Sequence, residues 1–234
     1  MNNQVPLKKR RLAVFCIGVS ACACALAAVG ALLMPQRAAA LIFTVVVCAA
    51  SAIGAAVFEH SRVSPLRISL TSVMTALSVV GRVAFYAVPF FKPVSAAVIL
   101  CGMWLGPVSG MVCGALSALL SGVFFGYGIW LPFQMTAWGL IGLLAGLMSA
   151  PLKKSRTLLS AYGVMAAVFF SAFMDVFTVL EFAGGFSITA YSAAILTAVP
   201  ITLIYAASNV IFLLALARPV GRRLDRIEQK YGKI

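Results

Sequence analysis

Apolar residues fill long unbroken runs along this chain, and polar residues are confined to the gaps between them. A helix needs about 20 apolar residues to cross a bilayer, and fewer where protein surrounds it. Eight runs qualify, near residues 12–34, 38–58, 66–88, 93–106, 108–125, 131–149, 158–179 and 190–217. The fourth is short for a span that faces lipid, and its Gly106-Pro107 end predicts a tight turn into the fifth. The eighth is long and holds Pro200, which predicts tilt or a kink. The runs do not alternate residue by residue, so a transmembrane β-barrel is excluded. The expected fold is an all-α integral membrane protein of about eight transmembrane helices.

Composition agrees. The 234 residues are 63% hydrophobic and 10% charged, against about 45–50% and about 25% in soluble domains. The same figures exclude intrinsic disorder. The net charge of +13 would point to nucleic acid in a soluble protein, but here the basic residues sit at span ends. There they set orientation and touch anionic lipid, and no basic surface fit to bind nucleic acid is visible.

Charge position then gives topology. With the N-terminus inside, the inner loops hold Lys8, Lys9, Arg10, Arg11, Arg62, Arg67, Lys153, Lys154 and Arg156. The tail adds Arg218, Arg222, Arg223, Arg226, Lys230 and Lys233 to the same side. Only Arg37, Arg82 and Lys92 are left outside. That asymmetry puts both termini in the cytoplasm. The basic start followed by an apolar run imitates a signal peptide, and Val19-Ser20-Ala21-Cys22 imitates a lipoprotein cleavage box. Apolar sequence continues too far for either, so an uncleaved first helix is expected.

A polar connector at 58–67 divides the chain. Residues 1–60 read as an accessory two-helix hairpin, 61–217 as a six-helix working domain, and 218–234 as a basic cytoplasmic tail. The six cysteines (16, 22, 24, 48, 101 and 113) lie in apolar runs and read as small hydrophobes.

Four groups of residues hold candidate chemistry. Gly81-Arg82 and Pro89-Phe90-Phe91-Lys92-Pro93 place two cations at the outer end of the third run. A charge inside a span usually faces the protein or a cavity, although Arg82 is also near enough to the headgroups to snorkel. Gly106, Gly110, Gly114, Ala118 and Gly122 form a small-residue ladder, echoed by Gly139, Gly142 and Gly146. Such ladders let helix backbones approach closely and say nothing of ligands.

The segment from Phe124 to Trp138 joins Tyr127 in a Gly-x-Gly bend to Trp130, Gln134 and Trp138 at fourth-residue spacing, hence on one helix face. Two indoles and an amide there can wall an organic-ligand pocket, with an interfacial aromatic belt as the plainer alternative. Asp175 and Glu181, near the outer end of the seventh run, can pair with Arg82 or Lys92 or receive a ligand. Asn209 is expected to make an interhelical hydrogen bond.

No Walker A motif, HExxH pair or serine–histidine arrangement is present, and the single histidine, His60, lies in the connector. An enzyme or a proton-driven carrier is therefore disfavoured, and no cofactor or metal is expected on this chain.

The stretch from Gly81-Arg82 through Lys92-Pro93, Gly102 to Gly110, and 121–142 ending Trp138-Gly139-Leu140-Ile141-Gly142 resembles the substrate-binding S components of energy-coupling factor (ECF) transporters. The likeness is to a subgroup with two extra N-terminal helices and covers about residues 65–217. It rests on glycines, prolines, the basic pair and Gln134-Met135, with Tyr127 standing where the subgroup commonly has Gln.

The resemblance implies a six-helix core that binds a vitamin at the extracellular face, in the plasma membrane of a prokaryote. It implies as partners a transmembrane coupling subunit and two cytoplasmic ATPases, which use the ATP. Docking onto the coupling subunit would use the small residues Ser72 and Ala76 of the first core helix. The subgroup implies cobalamin or a related corrinoid, with riboflavin, folate or a queuosine precursor as alternatives; a membrane scaffold or intramembrane enzyme is the competing class. The site residues so implied are Arg82, Lys92, Tyr127, Trp130, Gln134, Trp138, Asp175 and Glu181.

Overall fold

A computed structural model describes Val45 and residues 64–183 and 186–231. The N-terminal hairpin expected over 1–60 lies outside the described residues, as do Cys16, Cys22, Cys24, Cys48 and His60. The described residues from 64 onward form seven helices: α1 (Pro65–Ala84), α2 (Val94–Leu105), α3 (Pro107–Phe125), α4 (Leu131–Leu147), α5 (Ser149–Lys154), α6 (Arg156–Phe182) and α7 (Ile188–Tyr231). Four of them, α1, α3, α6 and α7, are long and apolar enough to cross a membrane, and α2 and α4 are shorter apolar helices. These six correspond to the last six predicted spans, with α7 running on past its predicted end at 217.

Helix boundaries follow local chemistry. The Ser64 hydroxyl accepts the Arg67 N–H at 3.2 Å and caps α1, with Pro65 in the first turn. Ser155 caps α6 in the same way, accepting from the Leu158 N–H. Gly106 joins α2 to α3 with φ +95°, a left-handed conformation that a side chain would strain, and Pro107 opens the next helix. This is the tight turn the sequence predicts.

α2 explains why a short span suffices. Its 12 residues reach roughly 18 Å, well short of a bilayer core of about 30 Å. All but Trp104 are buried, because α1, α3, α4 and α7 surround the helix.

The glycine ladders bring α2, α3 and α4 together. A Cβ on Gly110 would overlap the Gly142 carbonyl and the Gly102 Cα, and a Cβ on Gly102 would also strike the Gly142 carbonyl. Gly114 lies against the backbone of Trp138 and Gly146 against that of Pro107. Asn209 of α7 donates from Nδ2 to the Gly163 carbonyl of α6 at 3.0 Å, the interhelical bond expected.

Beyond residue 217 α7 continues unbroken to Tyr231. Gly221 and Leu224 are buried there, so this basic segment packs against the bundle as helix.

Steric contact differs between neighbouring glycines, which gives a direct test. Gly142→Ala is expected to lower stability in detergent by about 1–3 kcal/mol through overpacking. Gly139→Ala, whose Cβ would meet nothing nearer than the Met111 carbonyl at 3.4 Å, is expected to be neutral or slightly stabilising. Thermal unfolding followed by size-exclusion chromatography checks the difference.

Candidate ligand cavity

A cavity of about 320 Å³ opens where the C-terminal end of α1, the N-terminal ends of α2 and α4, the later part of α6 and the earlier part of α7 converge. Five of the eight predicted site residues line it: Arg82, Lys92, Gln134, Trp138 and Asp175.

Arg82 reaches inward rather than snorkelling. Its guanidinium donates to the Ser121 hydroxyl of α3, and Ser121 donates onward to the Ser117 carbonyl at 2.6 Å. The same guanidinium stands 4.4 Å from the Phe125 ring centre and 4.9 Å from that of Trp138. Lys92 Nζ is 4.6 Å from the Phe125 ring as well, so one phenyl ring carries both cations. Burial, and then the nearby Arg82 charge, hold the Lys92 ammonium below the usual lysine range.

The loop that presents Lys92 is fixed at several points. Phe91 N–H bonds to the Pro89 carbonyl at 2.8 Å, a γ-turn centred on Phe90, whose φ is +60°. A bulky residue in the left-handed region is strained and persists only where its surroundings hold it. The Ser208 hydroxyl of α7 holds this loop by donating to the Lys92 carbonyl at 3.1 Å, and Phe90 lines the cavity.

Trp138 forms the floor. Its indole N–H donates to the Tyr205 hydroxyl at 2.9 Å and to the Ser95 hydroxyl at 3.2 Å, and those two hydroxyls bond to each other. The triangle ties α4, α7 and α2 together. Phe170 stacks on the indole at 4.8 Å, and Tyr205 meets Phe170 edge-on at 5.3 Å. Across the cavity, Thr202 donates to Ser171 at 2.7 Å. Asp175 also lines it, and its Oδ2 is buried with no hydrogen-bond partner. Asp175 Oδ2 is therefore bonded to neither Arg82 nor Lys92, although all three share the cavity.

Tyr127, Trp130 and Glu181 are not among the residues that line the cavity. Tyr127 is 58% exposed and lays its ring over Gly122, and Trp130 is 38% exposed and folds over Gly128. Trp130 stands just before α4 in helical conformation and its carbonyl accepts the Gln134 N–H at 3.1 Å, so its backbone keeps register with Gln134 and Trp138 while its indole folds back over Gly128. Glu181 is half-buried at the last turn of α6.

Sequence reasoning missed Phe90, Phe170, Ser171, Met174, Thr202 and Tyr205. A signal for the last two was present: Thr202, Tyr205 and Asn209 mark one polar stripe along an otherwise apolar span.

Comparison with known proteins identifies the family. A family profile described as ECF-type riboflavin transporter, S component, matches residues 62–224. The chain belongs to this family of multi-pass membrane transport subunits. It is also 27% identical over 139 residues to a UPF0397 protein of Aliivibrio salmonicida (strain LFI1238), covering 56% of this chain and 71% of that one. A UPF0397 protein of Aliivibrio fischeri (strain MJ11) is 27% identical over 138 residues, with 56% and 70% covered. No solved structure matches the chain.

The hydroxyl triangle makes a graded prediction. Trp138→Phe leaves two buried hydroxyls without their shared donor and is expected to cost about 1–3 kcal/mol, whereas Tyr205→Phe leaves the indole N–H on Ser95 and is expected to cost about 1 kcal/mol. Unfolding midpoints of the purified variants measure both.

Proposed function

We propose that this chain is the substrate-binding subunit of an ATP-driven vitamin importer and that the ligand occupies the cavity between Arg82 and Asp175. The observation that carries the reading is the buried, unpartnered Asp175 Oδ2 in a cavity that also holds two cations and an indole. A buried acceptor without a partner is costly unless something in the cavity meets it.

The complementary ligand is a planar heteroaromatic ring with a hydrogen-bond donor on one edge and acceptors on another. Its face would lie along Trp138, Phe170 and Tyr205, its donor at Asp175 or Gln134, and its acceptors at Arg82 and Lys92. Riboflavin has this chemistry, the family description names it, and a cavity of about 320 Å³ suits a ligand of that size. A corrinoid, expected from the sequence resemblance, is the second reading. The exposed rings of Tyr127 and Trp130 favour it, since they offer aromatic surface to a ligand that outgrows the cavity.

In this reading the cavity faces the cell exterior, as the lysine and arginine asymmetry requires, and both termini lie in the cytoplasm of a prokaryotic cell. Power comes from a transmembrane coupling subunit and two ATPases. Ser72 and Ala76 are exposed on α1 beside Val73, Leu77 and Val80, a small-residue face suited to close helix packing with the coupling subunit.

Titrating riboflavin fluorescence with purified protein tests the ligand. Saturable quenching is expected, with Trp138→Ala and Asp175→Asn each raising Kd by about tenfold or more and Trp130→Ala changing it by less than about twofold. Absence of saturable quenching would rule out riboflavin, and a larger loss for Trp130→Ala would place riboflavin outside the Arg82–Asp175 cavity. For docking, Ala76→Phe is expected to abolish co-purification of the coupling subunit while leaving ligand affinity unchanged.

A further inference from the structure

The opposite end of the bundle holds a second cavity, of about 610 Å³, between the C-terminal end of α2, α5, the start of α6 and the later part of α7. Five cations line it: Lys153, Lys154, Arg156, Arg218 and Arg222. The one carboxylate in the lining, Asp225, accepts the Trp104 indole N–H at 3.1 Å. Trp104 in turn covers Gly221, where a Cβ would strike the indole, and Lys153 Nζ stands 5.0 Å from its ring.

This Trp104 clamp fixes the end of α7 against α2. It therefore holds Arg218 and Arg222 across the cavity from Lys153, Lys154 and Arg156. Five cations face one concavity, and the single carboxylate among them is already engaged by Trp104, which leaves a locally positive surface. All five are exposed to solvent, and an anion among them would meet several cations at once. Two of the groups that would meet it from α7 are guanidiniums, whose planar fork suits phosphate oxygens.

The position of the cavity selects the source of that anion. It lies at the end of the bundle where the basic residues concentrate, which the charge asymmetry assigns to the inner leaflet. Two of the helices that form it turn apolar side chains outward within about a turn of the cations: Leu158 on α6 and Leu214 on α7 are exposed. A headgroup phosphate in the cavity would thus have its acyl chains beside a lipid-facing surface.

We propose that this cavity is a binding site for the phosphate headgroup of an anionic phospholipid, separate from the ligand cavity. Bound lipid bridges α5 and α6 to the later part of α7 through its phosphate.

Native mass spectrometry of the full chain in neutral detergent, titrated with phosphatidylglycerol and with phosphatidylcholine, tests this. Phosphatidylglycerol is expected to bind the wild type in preference to phosphatidylcholine. The triple variant Lys154→Gln, Arg218→Gln, Arg222→Gln should weaken it roughly 100-fold, at about fivefold per cation. A control triple, Arg223→Gln, Arg226→Gln, Lys230→Gln, removes equal charge outside the cavity and should change binding by less than about tenfold. Equal losses in the two triples, or equal affinity for the two lipids, would overturn the proposal.

Two further arms detect a different occupant of the cavity. Full displacement of phosphatidylglycerol by millimolar inorganic phosphate would assign the cavity to a soluble anion instead. Loss of the coupling subunit from the cavity triple with lipid affinity unchanged would assign it to a protein partner. If the glutamine triple fails to fold, the charge-retaining set Lys154→Arg, Arg218→Lys, Arg222→Lys decides. It should keep phosphatidylglycerol affinity within about tenfold, and its loss in a normally eluting protein would contradict the proposal.

Discussion

Backbone meets backbone where Gly102, Gly110 and Gly142 bring α2, α3 and α4 together, and much of the bundle depends on that approach. In a membrane no hydrophobic force draws helices together, because lipid tails are as apolar as leucine. Close van der Waals packing and interhelical hydrogen bonds must do it, and glycine makes the approach possible. One turn further along, Gly114 lies against the backbone of Trp138. The indole that floors the ligand cavity is thereby set in depth by a missing side chain on the neighbouring helix. Its N–H then reaches Tyr205 and Ser95, so packing and polar satisfaction specify the same position.

Electrostatics distinguish the two ends. At one, two cations share the Phe125 ring and the same cavity holds an acceptor without a partner. Opposite charges across an aromatic floor are what the proposed ligand position rests on. At the other end five cations and one carboxylate share the lining with apolar residues, and Trp104 bonds the carboxylate. Charge is scarce in this chain, and much of what the described residues carry lines these two cavities.

Much of this was legible from residue order. Long apolar runs located six of the described helices, because a span must satisfy its backbone internally. The small-residue ladders announced a tight bundle, and a charge within a span pointed inward at Arg82. What stayed hidden depended on register across helices. Trp130 shares fourth-residue spacing and helical register with Gln134 and Trp138, yet its indole folds back over Gly128 instead of entering the cavity. Phe170 and Met174 look like any lipid-facing apolar residue until α6 is placed beside α7. The tail beyond residue 217 read as a basic extension, since nothing in its own sequence reveals that Gly221 fits beneath Trp104.

Ligand position is the central claim, and a structure of the purified chain solved with riboflavin bound tests it most directly. The ring is expected between Arg82 and Asp175, lying along Trp138 and Phe170. Riboflavin seated elsewhere, for instance against Tyr127 and Trp130 with the Arg82–Asp175 cavity empty, would contradict it.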